Sequence, residues 1–104
     1  MDLQACRERL DQIDKEMIEL FEARMRVCND VADYKIETGK PIYDGARERQ
    51  KIEAVQALAH GDFNKMAGEE LYRQLMTISR RYQYQMLMAA GNEEELTFEK
   101  RDTL

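Results

Sequence analysis

A chain of 104 residues is the size of one domain, and at that length it buries only about 60 to 65% of the surface its unfolded form exposes, so its stability on its own is modest. Acidic residues outnumber basic ones, 21 to 16, and no basic stripe offsets that sign, which argues against nucleic acid as a partner. No run of about 18 apolar residues is present to span a membrane, and the first residues lack an apolar signal core, so a soluble, cytoplasmic protein is expected.

From Leu3 to Thr38 the sequence contains neither glycine nor proline, and apolar residues recur at Leu3, Cys6, Leu10, Ile13, Met17 and Leu20, then at Val27, Val31 and Tyr34. This three-four repeat predicts one long helix. Gly39 and Pro41 end it, and a short extended loop passes through Ile42 and Tyr43. Asp44 is a natural N-cap for a second helix whose stripe is Glu48, Ile52, Val55 and Ala59. His60 to Gly68 reads as a loop, with His60 an exposed residue at the helix end. A third helix is expected from about Glu69 to Ala90, with Leu71, Leu75, Ile78, Tyr82 and Met86 inward. The organisation is therefore an all-α domain over residues 1–91, with a polar tail or linker start over residues 92–104.

The two cysteines, Cys6 and Cys28, lie roughly 33 Å apart if both are on the first helix, far beyond disulfide reach. They read as small buried hydrophobes, and no metal site can be argued from these residue types.

The first helix also constrains assembly. About 36 residues span roughly 54 Å, whereas a globule of this chain length is only about 33 Å across. Its own chain cannot cover it, and the heptad spacing through Leu3 to Met17 favours a partner helix, so a homodimer with an extensive helical interface is expected.

Continuing the heptad count past Leu20 puts Arg24 on the seam, where an apolar residue is expected. Lys35 lies 11 positions on, which at about 100° per residue brings both cations to one face. Burying such charges without a counter-anion costs several kcal/mol, so a negative group belongs there, either a carboxylate such as Glu48 or a ligand. Arg47 and Glu48 fall in the first turn of the second helix, and Glu48 heads its apolar stripe. It could serve as an inward hydrogen-bond acceptor or simply complement the helix dipole. Ser79 and Gln83 form an i, i+4 pair of neutral hydrogen-bonding groups on the third helix. Arg7 lies about 25 Å along the first helix from Arg24 and roughly 100° around it, too far for the same ligand in cis. It either crosses a dimer interface or stays exposed in a pair with Glu8 or Asp11.

With these residues in place, the sequence resembles the all-helical class of chorismate mutases over roughly residues 3–85. The segment CRERLDQIDKEMIELFEARMRVCNDVADYK resembles that family's first helix, KPIYDGARERQ its loop and second-helix start, and ISRRYQ its third-helix signature. The resemblance implies an isomerase of the shikimate pathway and aromatic amino acid biosynthesis, rearranging the dicarboxylate chorismate to prephenate without cofactor or metal. It places site roles on Arg7, Arg24, Lys35, Asp44, Arg47, Glu48, Ser79 and Gln83. By the same resemblance, the homodimer is intertwined and Arg7 is lent across it, and Arg7 and Arg24 clamp the carboxylates with Arg47 and Ser79 in support. Lys35 and Gln83 meet the breaking ether oxygen, and Glu48, with the Asp44 backbone region, holds the ring hydroxyl. An isochorismate pyruvate lyase shares the fold and the anion-binding arginines and is the nearest enzymatic alternative. A non-enzymatic helical dimerisation module is the alternative of a different class.

Overall fold

A computed structural model describes residues 2–91, and every regular element in them is helical. Helix α1 spans Leu3–Thr38, α2 Gly45–Leu58 and α3 Asp62–Ala89. Among these residues no helix is long and apolar enough to cross a membrane. The expected tail, residues 92–104, lies outside the described residues.

The helix ends follow from local chemistry. Asp2 caps α1 by accepting the Gln4 N–H at 2.9 Å. At the other end Gly39 adopts φ 73°, the left-handed region in which glycine carries no Cβ penalty, and its N–H returns to the Lys35 carbonyl. Asp44 caps α2 by accepting the Arg47 N–H at 3.0 Å.

The start of α3 corrects the expected loop over residues 60–68. His60 is exposed as anticipated, but the connection is only the three residues 59–61, with Gly61 at φ 87°, and the helix begins at Asp62, whose charge suits a helix N-terminus. Gly68 lies inside the helix, where a Cβ would stand 3.5 Å from Val55 Cγ1. Around this close approach Lys65 Nζ donates to the Gln56 carbonyl at 2.6 Å and Gln56 Nε2 to Glu69 Oε1 at 2.8 Å. Contacts with α2 thus hold two additional turns helical through a residue that reads locally as a breaker.

Helix α3 is central: it packs on both α1 and α2, which do not pack directly on each other. Residue pairings set the directions. Glu48 meets Arg80 and Gln56 meets Glu69, so α2 and α3 are antiparallel; Arg24 meets Ser79 and Asn29 meets Tyr82, so α1 and α3 run parallel. Ile42, Tyr84 and Leu87, with Ile36 against them, form the core where the loop crosses under α3.

The inward stripe expected on α3 is displaced, and the apolar stripe of α1 is largely exposed. On α1 the buried residue is Ala32, with Phe21, Met25, Cys28 and Ile36 partly covered, whereas Leu3, Leu10, Met17, Ile18 and Leu20 are 52 to 71% exposed. On α3 the buried residues are Met76, Ser79, Gln83, Tyr84 and Leu87, while Leu75, Ile78, Tyr82 and Met86 are only partly covered and Leu71 is exposed. The heptad stripe of α1 therefore runs along a surface that the other described residues leave open, and the described residues measure 56 × 26 × 21 Å. Cys6 and Cys28 are half-buried free thiols rather than fully buried residues. The stripe of α2 is as expected, with Ile52 buried and Glu48, Val55 and Ala59 partly so.

Candidate active site

Because α1 and α2 both lean on α3 without touching, a gap remains between them, floored by α3. It forms a cavity of 410 Å³, within the size range of small-molecule sites. Arg24, Val27 and Val31 line it from α1, Arg47, Glu48 and Lys51 from α2, and Met76 from α3. Three cations thus face one carboxylate.

Arg24 Nη1 donates to Ser79 Oγ at 2.8 Å and approaches Cys28 Sγ at 3.8 Å, with the guanidinium 5.9 Å from the Tyr72 ring centre. Ser79 Oγ in turn donates to the Leu75 carbonyl at 2.9 Å, so its proton is committed to the helix backbone and the hydroxyl is not set up as a nucleophile. Among the described residues no carboxylate pairs with Arg24. The carboxylate expected as its possible partner, Glu48, pairs instead with Arg80 of α3, whose Nη1 meets both of its oxygens. Glu48 is thus neither a freely solvated charge nor the counter-ion of Arg24.

Lys35 is half-buried and donates to the Ile42 carbonyl at 2.7 Å, which ties the end of α1 to the loop before α2. Gln83 is 7% exposed, one turn beyond Ser79 on α3, and its Oε1 is buried without a hydrogen-bond partner. A buried amide oxygen with no partner costs free energy. Asp44 uses its side chain as the α2 cap. Arg7 is exposed on the overhanging part of α1 and makes no polar contact within the described residues.

The cavity therefore collects Arg24, Arg47 and Glu48 directly and Ser79 through Arg24, while Lys35 and Gln83 sit farther along their helices and Arg7 stands apart. Sequence reasoning missed Lys51 and Arg80. Lys51 is one turn from Arg47 and could have been placed by that spacing. Arg80 lies on the stripe Met76, Arg80, Gln83, Leu87, but its partner is on another helix.

Fold and site define an all-helical protein with a cation-rich cavity. The chain belongs to the chorismate mutase type II family, whose model matches residues 6–84. A protein named chorismate mutase, from Methanocaldococcus jannaschii, is 26% identical over 94 residues, covering 89% of this chain and 95% of that protein. A protein named 3-dehydroquinate dehydratase, from Pyrobaculum aerophilum, is 38% identical over 64 residues, 62% of this chain but only 20% of that protein. No solved structure gives a significant match.

Proposed function

We propose that this chain is a chorismate mutase, converting chorismate to prephenate in aromatic amino acid biosynthesis. The observation that carries the reading is the cavity in which Arg24, Arg47 and Lys51 outnumber Glu48, which is itself neutralised by Arg80. A dicarboxylate supplies the missing negative charge, and bidentate arginine suits carboxylates. The dehydratase named for the Pyrobaculum relative does not transfer, because this chain spans only a fifth of that protein's length.

The reaction is pericyclic: one ether C–O bond breaks as one C–C bond forms, and no external nucleophile, proton or electron is consumed. The protein's work is positioning and electrostatics. Arg24, steadied by Ser79, and Arg47 hold carboxylates. Glu48, beside the capped Asp44 turn, accepts the ring hydroxyl. Lys35 and Gln83 stabilise the negative charge that grows on the departing ether oxygen, an interaction strongest in the transition state.

The remaining carboxylate ligand is Arg7 of a second copy. The exposed apolar stripe from Leu3 to Leu20 is the surface on which that copy packs, giving a homodimer in the cytoplasm with two equivalent sites. Purified protein incubated separately with chorismate and with isochorismate tests the reading. Prephenate from the first supports it; salicylate and pyruvate from the second, with chorismate untouched, point to the lyase.

A further inference from the structure

The geometry points to Arg80 as a positioning residue that fixes the Glu48 carboxylate for the substrate hydroxyl, an inference that rests on the mutase reading above. Arg80 is not among the cavity's lining side chains, yet its Nη1 meets both Glu48 oxygens, and the two side chains are only 18 and 24% exposed. Such a pair is shielded enough to hold one geometry, unlike the loose ion pairs of an open surface.

Arg80 is itself fixed from two other sides. Its Nη2 donates to Thr77 Oγ1 at 3.3 Å, and Thr77 Oγ1 donates to the Arg73 carbonyl at 2.9 Å. Its guanidinium carbon lies 5.4 Å from the centre of the Tyr43 ring. Tyr43 has room there because residue 45 is glycine: a Cβ at that position would stand 3.0 Å from the Tyr43 hydroxyl oxygen. The loop before α2, the first turn of α2 and the middle of α3 therefore meet at one guanidinium.

The consequence falls on Glu48. The other charged groups lining the cavity are Arg24, Arg47 and Lys51, all cations, so a Glu48 released from Arg80 could swing to any of them. It would then neutralise a carboxylate-binding group and leave the ring hydroxyl without its acceptor. Arg80 occupies one side of the carboxylate, and the lone pairs that remain are enough for a hydroxyl donor.

The test uses the purified full chain and compares wild type with Arg80→Met, Arg80→Lys, Glu48→Gln and the double variant Glu48→Gln/Arg80→Met on chorismate. Losing a charge-assisted hydrogen bond that orients bound substrate raises KM about ten-fold with a smaller change in kcat. Arg80→Lys keeps the charge and recovers part of that loss, and it supplies the readout should Arg80→Met fail to fold. The double variant is no worse than Glu48→Gln, because Arg80 acts through that carboxylate. A merely structural Arg80 instead lowers the active fraction, reducing kcat at unchanged KM. That pattern, or losses that multiply in the double variant, overturns the assignment. Wild-type protein that leaves chorismate unchanged overturns the underlying mutase reading and this role with it.

Discussion

Arg24 and Ser79, 55 residues apart in sequence, meet through a 2.8 Å hydrogen bond that joins α1 to α3 at the cavity wall. The bond sets the direction of the guanidinium, which otherwise, among the described residues, meets the Tyr72 ring and the Cys28 sulfur. Ser79→Ala is expected to raise KM for chorismate roughly three- to ten-fold with little change in kcat, and to cost about 1 kcal/mol of stability. Steady-state kinetics beside a denaturant titration check both parts, and an unchanged KM removes Ser79 from the site.

In the proposed mechanism Lys35 carries more of the rate. Its ammonium donates to the Ile42 carbonyl, a partner it can exchange for the ether oxygen of a bound substrate. Removing one donor from a developing oxyanion costs about a hundred-fold or more in kcat. Lys35→Ala is therefore expected to lose at least that much chorismate consumption, and a variant that keeps most of its rate would falsify the placement of Lys35 at the ether.

The bounds of α1 and the start of α2 were legible because each is written locally, by Gly39 and Pro41 at one junction and the Asp44 cap at the next. Arg24 and Glu48 were legible because each interrupts an apolar stripe with a charge. The start of α3 was not, since Gly68 is a breaker by propensity and a packing residue only once Val55 lies against it. The inward face of α3 was misassigned because Leu71, Leu75, Ile78, Tyr82 and Met86 form the more apolar stripe, whereas the face that packs also carries the polar Ser79 and Gln83. Arg80 escaped because its meaning depends on Glu48, 32 positions away on an antiparallel helix. No spacing within one helix encodes such a pair.

Gly68 yields a prediction of unusual sign. Its Cβ would meet Val55 at ordinary van der Waals distance, 3.5 Å, and its backbone is helical. Gly68→Ala is expected to stabilise the fold by about 0.5 to 1 kcal/mol, whereas Gly61→Ala, at φ 87°, is expected to destabilise it by about 1 kcal/mol. Thermal melts of the two variants should therefore move in opposite directions; a lower midpoint for Gly68→Ala would show that the α2 contact leaves no room for a methyl group.

Gln83 offers a pH test. Its amide is neutral at all ordinary pH, and its buried Oε1 has no partner among the described residues. Little activity loss is therefore expected at this position between mildly acidic and neutral pH. In Gln83→Glu the side chain can donate to the ether oxygen only while protonated; once ionised, it opposes the negative charge forming there. Activity of that variant should be confined to acid conditions and fall as pH rises, and full activity at pH 8 contradicts the role.

The proposed lending of Arg7 between two copies has a direct consequence in mixed variants. Arg7 and Arg24 lie 17 positions apart on one continuous helix, about 25 Å along its axis, so a site that uses both draws them from two copies of the chain. Arg7→Ala and Arg24→Ala should each be nearly inactive alone. In a heterodimer, one site receives both intact arginines and the other receives neither. Equal mixtures unfolded and refolded together contain about half heterodimers, each with one of its two sites working, so about a quarter of wild-type activity should return. Mixing without recovery, at matched protein concentration and with dimers confirmed by sedimentation, means that Arg7 does not serve the neighbouring site.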